Sequence, residues 1–150
     1  MRALSLSQPW AWCVVHHAKR IENRPLALAA VARSICGQRV ALHAAQSWDG
    51  AAQLRLRAAG VPVPMQVGLD RGALIGVATV HDVVIYSHEG ERARIPEGQE
   101  AWASGPVCLV LDDVRSLAKP IPLRGQLGFW YLAADVEAAV LEQLGEAAAS

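Results

Sequence analysis

The stretch from Ala73 to Val84 constrains the fold more than any other part of the sequence. Strict alternation puts Leu74, Gly76, Ala78 and Val80 on one face of a strand, and Ile75, Val77, Thr79 and His81 on the other. Both faces are mostly apolar. Such a strand is either covered on both sides or built into a closed barrel. The other segments read as partners for it. Arg2 to Ser7 is a strand with Leu4 and Leu6 on one face. Arg39 to Ala44 is a second core strand, with Val40, Leu42 and Ala44 opposite Arg39, Ala41 and His43. Val107 to Val114 and Phe129 to Leu132 supply two more.

Helices are predicted at the front, middle and end of the chain. Pro9 suits the first turn of a helix, and Trp10, Cys13, Val14 and His17 follow at helical spacing. Asp49 is a predicted N-cap for a helix over Gly50 to Ala59, closed by Gly60. Ala133 to Leu144 aligns Val136, Val140 and Leu144. Pro120 and Pro122 are expected to break the chain. Strands and helices do not alternate regularly, which disfavours a doubly wound parallel sheet. The expectation is an α+β fold: a small mixed β-barrel of five or six strands with peripheral helices, in one domain over 1–150.

Composition narrows the setting. Of 150 residues, 53% are hydrophobic, enough for one sizeable core. No apolar run approaches the roughly 20 residues of a membrane helix. No secretory signal is recognisable. Cys13, Cys36 and Cys108 show neither CxxC spacing nor a disulfide framework. They fit small core hydrophobes in a reducing cytoplasm, and no metal or cofactor is assigned. Residues 1–60 carry eight Lys/Arg against two acidic residues, and residues 61–150 carry six against twelve. This asymmetry makes either a basic face that attracts phosphate or two halves that interleave and pair their charges.

Chemistry concentrates near the start, in Ser5-Leu6-Ser7-Gln8-Pro9-Trp10-Ala11 and Lys19-Arg20-Ile21-Glu22-Asn23-Arg24. Three cations, a carboxylate and an amide beside two tryptophans suit a polar, partly aromatic, phosphorylated ligand. A nucleotide meets that description. Lys19 offers a point charge and Arg24 a fork for phosphate. Glu22 can accept an exocyclic amino group, as from cytosine N4. In an extended segment Glu22 and Arg24 share a face. The alternative is a surface salt-bridge cluster worth about 0–1 kcal/mol per pair. Gln8 can read a base edge at the start of the first helix, where Pro9 opens backbone N–H groups toward an anion. Trp10 either stacks on a base or belongs to the core. His43 and Gln46, at the end of a core strand, are ligand contacts where a barrel opens, or His43 is a satisfied buried histidine. Trp102, Ser104 and Gly105 form a loop over the cleft or an ordinary surface loop.

The opening segment fits Ser-x-x-Gln-Pro-Trp-Ala and resembles the start of ASCH (activating signal cointegrator homology) domains. The family's Gly-x-Lys-x-x-Glu-x-Arg is matched by Lys19, Glu22 and Arg24, with His17 where glycine is usual. Val40 to Ala45, Gly72 to Val84 and Leu127-Gly128-Phe129-Trp130 follow in the family's order. The resemblance implies a PUA-like β-barrel with a cleft beside the first helix, and partners among RNA, other single-stranded nucleic acid or a modified nucleoside. It also implies a competing activity, an amidohydrolase that removes an acyl group from N4-acetylcytidine-type nucleosides, with Lys19 and Glu22 as its catalytic residues. The hydrolytic members carry a threonine at the position of Glu22, so this chain lacks their hydroxyl. A third reading is a protein-interaction domain with a vestigial cleft.

Overall fold

The computed structural model describes residues 1–146. Its strands are β1 (Arg2–Gln8), β2 (Ile21–Arg24), β3 (Arg39–Trp48), β4 (Ala73–Ile85), β5 (Val107–Pro122) and β6 (Phe129–Tyr131). Its helices are α1 (Trp10–His16), α2 (Ala29–Ser34), α3 (Gly50–Ala58), α4 (Glu89–Arg92) and α5 (Ala134–Gln143). The strands form one mixed sheet in the order β2-β5-β4-β3-β1-β6, with β1 and β3 parallel and the other pairs antiparallel.

The architecture is α+β, but the sheet is not closed. Edge strands β2 and β6 do not pair with each other, so the expected barrel is corrected to a curled open sheet. Apolar residues fill both of its faces. Leu4, Leu6, Val40, Leu42 and Leu109 pack with Ala11 and Val14 of α1 and Ala32 of α2. Ala3, Ala41, Leu74, Val77 and Trp130 pack with Val140 and Leu144 at α5. Each fully buried aliphatic side chain of this kind contributes about 1.5–3 kcal/mol.

The central strand is covered on both sides, yet its faces are not those of strict alternation. Leu74 and Val77 share one cluster, while Ile75, Ala78, Val80, Val83 and Ile85 share the other. The β4–β5 register shifts between Leu74 and Gly76, Val77 and Thr79, and Val80 and Asp82. Each irregularity offsets the pairing and re-aims the side chains beyond it. At the second, β5 carries the extra residue, and Asp113 there takes φ 46°, a left-handed conformation that aspartate tolerates better than most residues.

β5 also runs through Pro120 and Pro122 rather than ending before them. Its outer edge is paired with β2 only over Val107 to Val110, so the prolines remove no ladder hydrogen bond on that side. Asp49 caps α3 as expected, accepting the Ala52 N–H at 2.9 Å. The short α2 had no counterpart in the sequence reading. No helix among the described residues is long and apolar enough to cross a membrane.

Candidate functional site

The site is built where α1 gives way to β2. Arg20 closes the helix, its Nη1 donating to the carbonyls of Val14 (2.9 Å), His17 (3.2 Å) and Lys19 (3.0 Å). The Val14 and His17 carbonyls are among the groups a helix end leaves unsatisfied, and a cation suits that end of the dipole. His17 stands where the resembling family has glycine, but its φ of −137° is ordinary extended backbone, so a side chain is accommodated. Its ring stacks on Trp12 at 5.8 Å and meets Trp102 edge-on at 6.5 Å.

β2 pairs in register with β5, and its alternation divides the motif between two faces. Glu22 and Arg24 point into a cleft of about 720 Å³. Asn23, between them, also borders the cleft and holds the 102–105 loop. Its Oδ1 accepts the N–H groups of Ser104 (2.8 Å) and Gly105 (2.9 Å), and its Nδ2 donates to the Trp102 carbonyl (2.8 Å). Loop and cleft are thus aligned by neighbouring residues of one short strand.

Lys19 is only 3% exposed and Glu22 only 8%. Lys19 Nζ donates to the Ile21 carbonyl and, at 3.0 Å, to Glu22 Oε2, and lies 5.6 Å from the centre of the Trp10 ring. Arg24 Nη2 donates to the Ser5 carbonyl, and Nε lies 3.4 Å from Glu22 Oε1. The Arg24–Glu22 charges touch, but Nε is not aligned as a hydrogen bond and is a buried donor with no acceptor among the described residues. A buried carboxylate flanked by two cations is therefore presented to the cleft, not a solvated surface cluster.

The cleft is also lined by Trp10, Trp102, Arg55 and the serines Ser5, Ser7, Ser47 and Ser104. Its volume lies in the range of small-molecule sites. Two indoles offer stacking surfaces, the hydroxyls can pair with a sugar, and three cations against one carboxylate favour an anionic group. Burial pushes the Cys13 thiol up to about 11, with Lys19 opposing, and also raises Cys108. Neither buried cysteine is an activated nucleophile.

The sequence-derived site residues separate into three groups. Trp10, Lys19, Glu22 and Arg24 converge on the cleft. Gln8 and Pro9 are buried and do not line it. Gln8 Oε1 accepts the Trp12 N–H at 3.0 Å and Nε2 donates to the Asp70 carbonyl at 2.7 Å. Both ends of the amide are engaged, which corrects the expectation that Gln8 reads a base. The same bond occupies the Trp12 donor at the start of α1, where Pro9 serves as the N-cap. His43 and Gln46 line a second cleft.

Arg55, Asn23 and the serines were not singled out from the sequence. Asn23 lay inside the motif, between Glu22 and Arg24. Arg55 comes from α3, distant in sequence, and carried no signal. The charge asymmetry resolves both ways: Arg33 pairs with Glu91 and Arg39 with Glu146, whereas Arg55 at the cleft has no acidic partner among the described residues.

No protein-family model matches the sequence, and no curated protein matches it. Among solved structures the chain is similar to ASCH from Zymomonas mobilis, at 17% identity and a TM-score of 0.50, over 96% of this chain and 92% of that one. It is likewise similar to a tyrosine-to-phenylalanine variant of ASCH from Zymomonas mobilis, at 17% identity and a TM-score of 0.52, over 94% of this chain and 96% of that one. At this identity the likeness concerns the fold: the chain has the fold of these ASCH proteins.

Proposed function

We propose that this chain of ASCH fold is a nucleotide-binding module that holds one nucleoside of single-stranded RNA, or a modified nucleoside, in the cleft beside α1. Trp10 or Trp102 stacks on the base, a contact worth about 1–3 kcal/mol. Glu22 accepts the exocyclic amino group, Arg55 meets phosphate, and the serines meet the sugar. Lys19 and Arg24 act mainly through Glu22, holding its carboxylate in place.

The observation that carries this reading is the buried carboxylate of Glu22 on the wall of the cleft, fixed by Lys19 Nζ at 3.0 Å. A fixed acceptor discriminates between bases. Cytosine presents an amino donor where uracil presents a carbonyl, and two acceptors facing each other repel. Titration with cytidine and uridine tests it. Cytidine is expected to bind at least about tenfold more tightly, since a well-placed base contact is worth about 1–3 kcal/mol. Glu22→Gln should erase the preference. Equal affinities in the native protein would end this reading.

A second reading is an amidohydrolase acting on an N4-acylated cytidine. It is favoured by a buried lysine beside a carboxylate in a cleft that also holds serine hydroxyls. It ranks second because Lys19 Nζ is already committed to the Ile21 carbonyl and to Glu22. Release of cytidine from N4-acetylcytidine, abolished by Lys19→Ala in a folded variant, would reverse the ranking.

A further inference from the structure

The first cleft adjoins a second. Ser5, Ala45 and Leu127 line both, and the second encloses about 660 Å³. Its wall is firmly built. His43 is 2% exposed, and its Nε2 lies 2.6 Å from the Leu123 carbonyl. A carbonyl only accepts, so Nε2 carries the proton and Nδ1 faces Ser5 Oγ at 3.4 Å. Ser5 Oγ donates to the Gln126 carbonyl at 2.8 Å and receives the Trp130 indole N–H at 3.2 Å. The backbone of Gly125 rests on the imidazole: a Cβ there would lie 2.5 Å from His43 Cε1, so a side chain is excluded. The 123–128 segment is thereby fixed, with Arg124 and Leu127 projecting from it.

The arginines supply the second observation. Arg33, Arg39, Arg94 and Arg115 are ion-paired. Arg20, Arg24, Arg57 and Arg71 donate to carbonyls. Arg2 and Arg92 lie over tyrosine rings. Among the described residues, Arg55 and Arg124 remain the two whose guanidinium groups have no acid, carbonyl or ring. Arg55 lines the first cleft and Arg124 the second, and no acidic side chain lines the second.

We propose that the two clefts are adjoining subsites for one single-stranded oligonucleotide. The first takes a nucleoside, the second takes its neighbour, and Arg124 binds the phosphodiester between them. The inference rests on the reading of the first cleft as a nucleoside site and extends it from one nucleoside to two joined by a phosphodiester. Two clefts of similar volume, sharing a wall and each bearing one uncommitted guanidinium, match a ligand that repeats base and phosphate. Gln46, on the rim of the second cleft, supplies an amide for the neighbouring base.

The test titrates the full chain with cytidine, the dinucleotide CpC, and a CpC analogue with an uncharged methylphosphonate linkage. CpC is expected to bind about tenfold more tightly than cytidine, the gain one charge-assisted contact provides. Arg124→Ala should remove that gain while leaving cytidine affinity and the melting temperature unchanged. The uncharged analogue should lose the gain in the native protein. Cytidine binding with no gain for CpC, or a gain that survives Arg124→Ala, overturns the two-subsite proposal alone. Binding of neither probe overturns the first-cleft reading and this proposal together.

Discussion

Arg24 in β2 donates its Nη2 to the backbone carbonyl of Ser5 in β1, although β5, β4 and β3 separate those strands in the sheet. The sheet therefore curls until its edge strand returns within one arginine side chain of β1. The same guanidinium touches Glu22 Oε1 at 3.4 Å. One residue thus links the curl of the sheet to the charge of the cleft.

Arg24→Ala should destabilise the protein by about 2 kcal/mol, the scale of a hydrogen bond from a charged donor. Urea unfolding measures it. Arg24→Lys should recover little, because a single ammonium cannot replace the fork that reaches both Ser5 and Glu22. An unchanged urea midpoint in Arg24→Ala would mean that the bridge adds nothing to stability.

Removing Lys19 should do more than weaken ligand binding. Lys19→Met leaves Glu22 buried with one charge partner fewer, and breaking such a pair costs about 3 kcal/mol. The double variant Lys19→Met, Glu22→Gln should be more stable than additivity of the single variants allows, by about 1 kcal/mol or more. Strict additivity in urea unfolding would show that the two groups are not coupled.

Asn23→Ala should free the loop that carries Trp102. Hydrogen exchange at the Ser104 and Gly105 amides is expected to accelerate by at least about tenfold, since both lose their acceptor. Nucleoside affinity should fall with it. Unchanged protection at both amides would show that the loop is held by other contacts.

Thiol labelling reports on burial. Cys36 is exposed, whereas Cys13 and Cys108 are buried. At pH 8 iodoacetamide should modify Cys36 alone in the folded protein. That reaction should be slow and should accelerate as pH rises, because partial burial and Asp82 hold the thiol above its ordinary value and the thiolate is the nucleophile. Cys13, pushed up to about 11 by burial, should react only after unfolding. Rapid modification of Cys13 near neutral pH would contradict the packing of α1.

The strands were legible because apolar alternation is strong in β1, β3 and β4. The faces of β4 were not, because a shift in register leaves no mark on composition. The length of β5 was hidden by Pro120 and Pro122, which break most strands but not an edge without a partner there. In the cleft, Lys19, Glu22 and Arg24 could be found because they lie within six residues of one another. Arg55 and Arg124 could not, because their distinguishing property is the lack of a partner, which exists only in three dimensions. Gln8 misled because its polarity suggested a ligand, whereas its amide serves the Trp12 N–H and the Asp70 carbonyl.

Location of the ligand tests the central claim most directly. The chain has five tryptophans, so its indole N–H groups give five separate probes in a nitrogen–proton correlation spectrum. Trp10 and Trp102 line the first cleft, and Trp48 does not. On titration with cytidine, the Trp10 and Trp102 indole signals should shift along saturable curves with one dissociation constant, while that of Trp48 stays in place. Binding that leaves Trp10 and Trp102 unmoved, or that shifts Trp48 alone, would place the ligand elsewhere and contradict the assignment of this cleft.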